Sequence, residues 1–275
     1  MTMPSVRSIA RQVLPDPLWL RADILRLRAA QLPMRVLPEG RAARAHLAAL
    51  RDAHRGETCV ILGNGPSIRG FDLARLDGAA TFCLNRGYLL WEDSGREPSF
   101  FVAVNDLVID QFHREIAGLP CPLFLPWIHR DRFRGVPNAV FVELRNDVRF
   151  TTDVRWGVAP CGTVTVAALQ LAYHMGFSTV VLLGVDHRFQ TTGPPHARVR
   201  QDGGDPNHFR SDYFGDGTLW NLPDLRLSER GYAMARAAFE AAGREVFNAT
   251  PDSALNVFAR GELDHALPFS ADLPG

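Results

Sequence analysis

Apolar residues in this chain gather into short unbroken runs rather than strict alternation. Residues 58–62, 80–84, 100–104 and 179–183 are each about five residues long and apolar almost throughout. A run of that length reads as a strand buried on both faces. Residues 123–125 and 139–142 are shorter strand candidates, and 245–247 look like a final strand. Longer stretches with helical character lie between them. One is alanine-rich, runs from about 162 to 175 and closes at Gly176, and another runs from about 228 to 242 and is followed by Gly243. Glycine just past the last periodic residue is a helix stop. Strands alternating with helices predict an α/β fold: a Rossmann-like, mostly parallel sheet with helices on both faces.

The first 55 residues follow a different pattern. Residues 17–32 space Leu18, Leu20, Ile24, Leu25 and Leu27 among Arg21, Arg26 and Arg28, and a second helix is expected over about 40–53. This is the pattern of a basic amphipathic helix. It fits peripheral contact with an anionic membrane surface, such as the inner face of the cytoplasmic membrane, or with an acidic partner. It fits equally a helix packed on the main domain with its arginines in water. The expected organisation is a helical extension over 1–55 and one transferase-type domain over 56–275.

Composition removes several classes. All 30 basic residues are arginine, so Schiff-base chemistry and the phosphate-reaching lysine of a Walker-A loop are excluded. A formal net charge of zero gives no argument for nucleic acid. Cys59, Cys83, Cys121 and Cys161 form no CxxC pair. That suits a reducing, cytoplasmic setting. The chain start lacks the apolar core of a secretory signal. No apolar run has the roughly 18–20 residues of a spanning helix.

The polar residues that follow the strands form a set: Gly63-Asn64-Gly65-Pro66-Ser67, Asn85-Arg86, Asn105-Asp106, Gly184-Val185-Asp186 and Asn248-Ala249-Thr250. In a parallel sheet these ends share one rim, where ligands bind. Each could also be a simple turn, since Asn, Asp and Gly favour turns. The two glycines of the 63–67 turn would let backbone N–H groups approach a phosphate, with a following helix adding its positive end. The spacing is not that of GxGxxG. A polar stretch over 191–223 has little periodicity, and a loop of this length, roughly 30 residues, is often a lid. Within it His208 is a candidate general base, because histidine titrates near neutral pH. His187, His196, His208 and Asp186 match no metal-ligand spacing, so no metal is expected. The absence of GxSxG argues against a hydrolase.

On these residues the chain resembles the bacterial lipooligosaccharide sialyltransferases of glycosyltransferase family forty-two. It is also similar to a related domain family that includes archaeal pterin diphosphokinases and flagellin-modifying glycosyltransferases. The likeness runs over about 57–258. It rests on Val60 through Ser67, Cys83-Leu84-Asn85-Arg86, Cys161-Gly162, Leu183 through Asp186, Asn207-His208 and residues 248–255. The resemblance implies a CMP-linked sugar donor, sialic-acid-like, with no further cofactor required, and a glycan or other hydroxyl acceptor. It implies donor contacts at Gly63, Asn64, Gly65, Ser67, Asn85, Asn105, Cys161, Gly162, Gly184 and Asp186. His208 matches the family's base, carried on a mobile lid. The family places a pair of tyrosines on the leaving phosphate. Arg188 stands at the first position, and Tyr213 is a further candidate for that duty. Inverting glycosyl transfer is the expected activity. The alternatives are ATP-dependent diphosphoryl transfer to a pterin-like alcohol, with Asp106 or Asp186 as magnesium partners, and nucleotide binding without catalysis.

Overall fold

Strand β1 (Thr58–Leu62) lies at the centre of an eight-stranded sheet. The other strands are β2 (Ala80–Leu84), β3 (Phe100–Val102), β4 (Leu123–Pro126), β5 (Ala139–Val142), β6 (Thr179–Leu183), β9 (Glu245–Asn248) and β10 (Ala259–Arg260). Their order is β10-β9-β6-β1-β2-β3-β4-β5, and every pairing is parallel. The computed structural model describes residues 16–267. Leu18 and Leu20 of the expected amphipathic stripe lie outside the described side chains.

Burial on both faces explains the unbroken apolar runs. Along β1, Cys59 and Ile61 enter one core while Val60 and Leu62 enter the other. The first core is closed by α1 (Asp16–Val36), α2 (Pro38–Ala49), α5 (Val164–Met175) and α6 (Leu225–Ala241), which contribute Met34, Leu47, Leu169 and Phe239. The second is closed by α3 (Tyr88–Ser94), α4 (Asp106–Ala117) and α7 (Leu263–Ala266), together with Phe209, Tyr213 and Phe214 from the long loop. The Rossmann-like α/β fold read from the sequence is therefore the fold observed. Burying a large apolar side chain contributes about 1.5–3 kcal/mol.

Several local expectations change. The third strand stops at Val102, and Asn105 opens helix α4, accepting the N–H groups of Leu107 (2.9 Å) and Val108 (3.4 Å). The turn after β1 leads into a one-turn 3-10 helix, Pro66–Ile68, rather than an α-helix. The 191–223 stretch is not structureless, because it carries an antiparallel pair, β7 (Arg198–Arg200) and β8 (Leu219–Asn221).

The N-terminal helices share the main core. Gln31 of α1 is buried and its amide donates to the Leu144 carbonyl at 2.8 Å. Glu143, also buried, receives Arg35 through Nε (3.0 Å) and Nη2 (2.8 Å), and Arg44 through Nη2 (2.9 Å). Burial alone would raise the Glu143 carboxyl, but hydrogen bonds and charge from the two guanidinium groups outweigh it and hold the group below its ordinary range.

Candidate active site

The strand order reverses between β1 and β6, and ligands in open α/β sheets bind beyond the strand ends at such a point. A cleft of about 1280 Å³ opens there. Its lining includes Gly63, Asn64, Gly65, Asn85, Asn105, Gly162, Gly184, Asp186, Arg188, His208 and Tyr213. The strand-end residues and the long loop thus meet in one cavity. Asn64 and His208 stand together, with the Phe209 N–H donating to the Asn64 carbonyl at 3.0 Å.

The 63–67 turn has a different local role from a phosphate cradle. Three of its four amides are engaged inside the protein: Gly63 N–H with the Leu183 carbonyl (2.7 Å), Gly65 N–H with the Gly184 carbonyl (3.0 Å) and Ser67 N–H with Asp186 Oδ1 (3.2 Å). The Ser67 hydroxyl donates to Asp186 Oδ2 at 2.7 Å. A Cβ on Gly63 would fall 2.2 Å from the Gly184 carbonyl oxygen, and one on Gly65 would fall 1.8 Å from Asp186 Oδ2. The glycines permit the loops after β1 and β6 to touch. Ser67 does not line the main cleft but a recess of about 230 Å³ beside it, with Asp186, Arg188, Pro251 and Asp252. Arg188 sits exposed at that rim, its guanidinium donating to the Asp252 carbonyl at 3.1 Å.

Three helix starts line the cleft: those of α4 and α6 carry Asp106 and Asp224, while that of α5 carries no acid. At α5, Gly162, Thr163, Val164 and Thr165 line the cleft, and the Thr163 hydroxyl caps the helix by accepting the Thr165 N–H at 3.3 Å. Cys161, expected beside a donor, does not line the cleft, although Pro160 and Gly162 on either side of it do. Its thiol packs into the core, 3.9 Å from the Arg149 carbonyl, and burial raises its pKa. Tyr232 is buried, and burial raises its phenol against the opposing pull of Thr165 and Thr163.

His208 is held from three sides. Its Nδ1 lies 2.7 Å from Oδ2 of Asp205, a fully buried carboxylate whose Oδ1 accepts the Asn207 N–H at 2.9 Å. Its ring stacks on Tyr213, with centroids 3.9 Å apart and planes at 7°, and meets the edge of Phe214 at 5.1 Å. A carboxylate on Nδ1 fixes that proton and leaves Nε2 as the basic nitrogen. Tyr213 is fully buried, and its hydroxyl accepts from the Asn64 amide (2.9 Å) and the Arg86 N–H (3.2 Å). Burial pushes the phenol far above its usual range. It is therefore a neutral platform under His208. Asp205 escaped the sequence reading; a carboxylate three residues before a candidate base was the available signal.

The segment carrying His208 is tied down at several points. Arg69 Nε donates to the Phe209 carbonyl (3.2 Å), and Arg210 pairs with Asp93 (3.0 Å). Gln111 of α4 clasps Leu219 of β8, donating to its carbonyl at 2.8 Å and accepting its N–H at 2.9 Å. Of the remaining polar set, Asn85 takes a left-handed conformation (φ 51°) with a buried Oδ1 that has no protein partner. Asn105 Oδ1 serves the α4 cap. Asn248 and Thr250 do not line the cleft; Asn248 braces the 248–255 turn, and the Thr250 hydroxyl accepts the Val185 N–H at 3.0 Å. Among the described residues no three His, Cys, Asp or Glu side chains converge as a metal site.

No family model matches the chain, and no curated protein matches it. Among solved structures it is similar to the MAf glycosyltransferase from Magnetospirillum magneticum AMB-1, at 16% identity and a TM-score of 0.49. That match covers 81% of this chain and only 38% of the other. It is also similar to the sialyltransferase CstII from Campylobacter jejuni, solved with the substrate analogue CMP-3FNeuAc. There the identity is 11% and the TM-score 0.44, over 77% of this chain and 88% of that one.

Proposed function

We propose that the chain is a glycosyltransferase that moves a sugar from a nucleotide-linked donor, CMP-linked and sialic-acid-like, to a hydroxyl acceptor with inversion. The Asp205–His208 pair on the wall of the switch-point cleft is the observation that carries this reading. Nε2 of His208 takes the proton from the acceptor hydroxyl. The acceptor oxygen forms its bond to the anomeric carbon as the bond from that carbon to the phosphate oxygen breaks. The electron pair leaves with the nucleotide monophosphate.

The departing negative charge is best met at the start of α5, where the helix dipole and first-turn amides favour an anion. The 63–67 turn suits it less, since Asp186 already places a carboxylate there. Arg188, which also lines the cleft, adds a permanent positive charge at its rim. Asp205 orients the imidazole and stabilises its protonated form. The acceptor is a glycan or another alcohol, and no metal-bound step is required.

The test uses His208→Ala with CMP-sugar donors and CMP titrations. Turnover should fall by about 10²–10⁴-fold, the usual contribution of a positioned base, while CMP affinity is kept. Asp205→Asn should follow in the same direction. Equal loss of turnover and CMP affinity would make His208 a structural residue. Thermal stabilisation by Mg-ATP and none by CMP would replace glycosyl transfer with diphosphoryl transfer.

A further inference from the structure

Among the described residues, the exposed large apolar side chains are Leu25, Leu32, Val36, Leu37, Val148 and Trp156. Three of them form one stripe on α1: Leu25 is 64% exposed, Leu32 55% and Val36 60%. At 3.6 residues per turn they fall within about 40° of one another. Buried Leu27 and Met34 occupy the opposite side of the helix. The stripe is therefore a second apolar face, separate from the one that docks α1 on the domain. Leu37 follows directly in the turn to α2.

Charge points to what covers this face. Arg21 and Arg28 are exposed and flank the stripe along one edge. The first 55 residues hold ten arginines against four acids, in a chain whose formal net charge is zero. A surface helix with leucines in its exposed stripe and arginines beside them suits the boundary between lipid headgroups and acyl chains. Among the described residues no helix is long and apolar enough to cross a membrane. We propose that the outer face of α1 rests in the plane of an anionic phospholipid surface, with Leu25, Leu32 and Val36 entering the acyl boundary and Arg21 and Arg28 meeting phosphates. This holds whatever reaction the cleft performs.

The full chain is mixed with phosphatidylcholine vesicles that either contain or lack phosphatidylglycerol, and vesicle-bound protein is measured by co-sedimentation. The wild type should pellet with the phosphatidylglycerol vesicles, lose binding as salt rises, and stay in solution with phosphatidylcholine alone. Arg21→Gln with Arg28→Gln should weaken binding about fivefold per arginine removed. Leu25→Glu with Leu32→Glu should abolish it, with the circular dichroism spectrum and CMP affinity unchanged. Should that variant fail to fold, the arginine pair decides alone, because those side chains are in water. The proposal is overturned if the wild type ignores phosphatidylglycerol vesicles, or if both double variants bind like wild type. It is also overturned if sedimentation velocity shows a dimer that Leu25→Glu with Leu32→Glu dissociates while vesicle binding is absent; the face would then belong to a second copy of the chain.

Discussion

Two turns carry glycine to the same rim and use it in opposite ways. The turn over 63–67 is fastened to its neighbour: the amides of Gly63, Gly65 and Ser67 bond to the end of β6 and the loop after it, and its missing side chains make room for that loop. The turn over 160–163 leads into α5, whose first residues line the cleft. The first looks more like a phosphate loop in the sequence, and the second is better placed to act as one. At Gly63 the missing side chain makes room for the backbone oxygen of Gly184, and at Gly162 the chain takes a left-handed φ of 82° with the Ser228 hydroxyl 3.2 Å from where a Cβ would lie.

The largest effect should come from Gly63→Ala. Its Cβ would meet a backbone oxygen 2.2 Å away, which no rotamer change relieves. A loss of about 3 kcal/mol or more is expected, read as a fall in midpoint in urea unfolding. A midpoint within experimental error of wild type would mean that the two loops do not need to touch. The next effect separates the turns directly. Thr163→Val should lower CMP affinity about tenfold, while Ser67→Ala should change it less than about twofold, both by calorimetric titration. The reverse ranking would return the anion to the 63–67 turn. The smallest effect is expected from acid and acts on α1, which borders the open end of the cleft through Leu27 and Ala30. Glu143 titrates below its ordinary value near 4.5, so its contribution is complete above that value and is lost as pH falls through the lowered one. The midpoint should drop more steeply below about pH 4.5 for wild type than for Glu143→Gln. Equal slopes would show that Glu143 is not the group that holds the helices.

The sheet was legible because its strands are buried on both faces, so β1, β2 and β6 stand out as unbroken apolar runs. Helix α4 was not read, although its signals were local: Asn105 as cap, then Leu107, Val108, Ile109 and Ile116 at helical spacing. The pair β7 and β8 had no such signal. Each strand has three residues, and β8 is held by Gln111, more than a hundred positions away. The Glu143 clamp is equally non-local, since its arginines precede it by 108 and 99 residues. His208 was readable as a lone imidazole near a turn. Its orientation by Asp205, and its seat on Tyr213, became visible only with the loop folded back over Asn64.

The contact between the loops after β1 and β6 also limits how the molecule can breathe. Backbone bonds from Gly63 and Gly65, and the grip of Ser67 on Asp186, rivet the two halves of the sheet together at the place where a hinge would otherwise lie. The cavity floor therefore cannot gape. The 191–223 segment is fastened to that floor as well, through the Phe209 N–H on the Asn64 carbonyl, the buried rings of Phe209, Tyr213 and Phe214, and side-chain bonds to Arg69, Asp93 and Gln111. The pairing of His208 with Asp205 is thus built into a stretch that aromatic packing clamps to the sheet, rather than hung on a free strap.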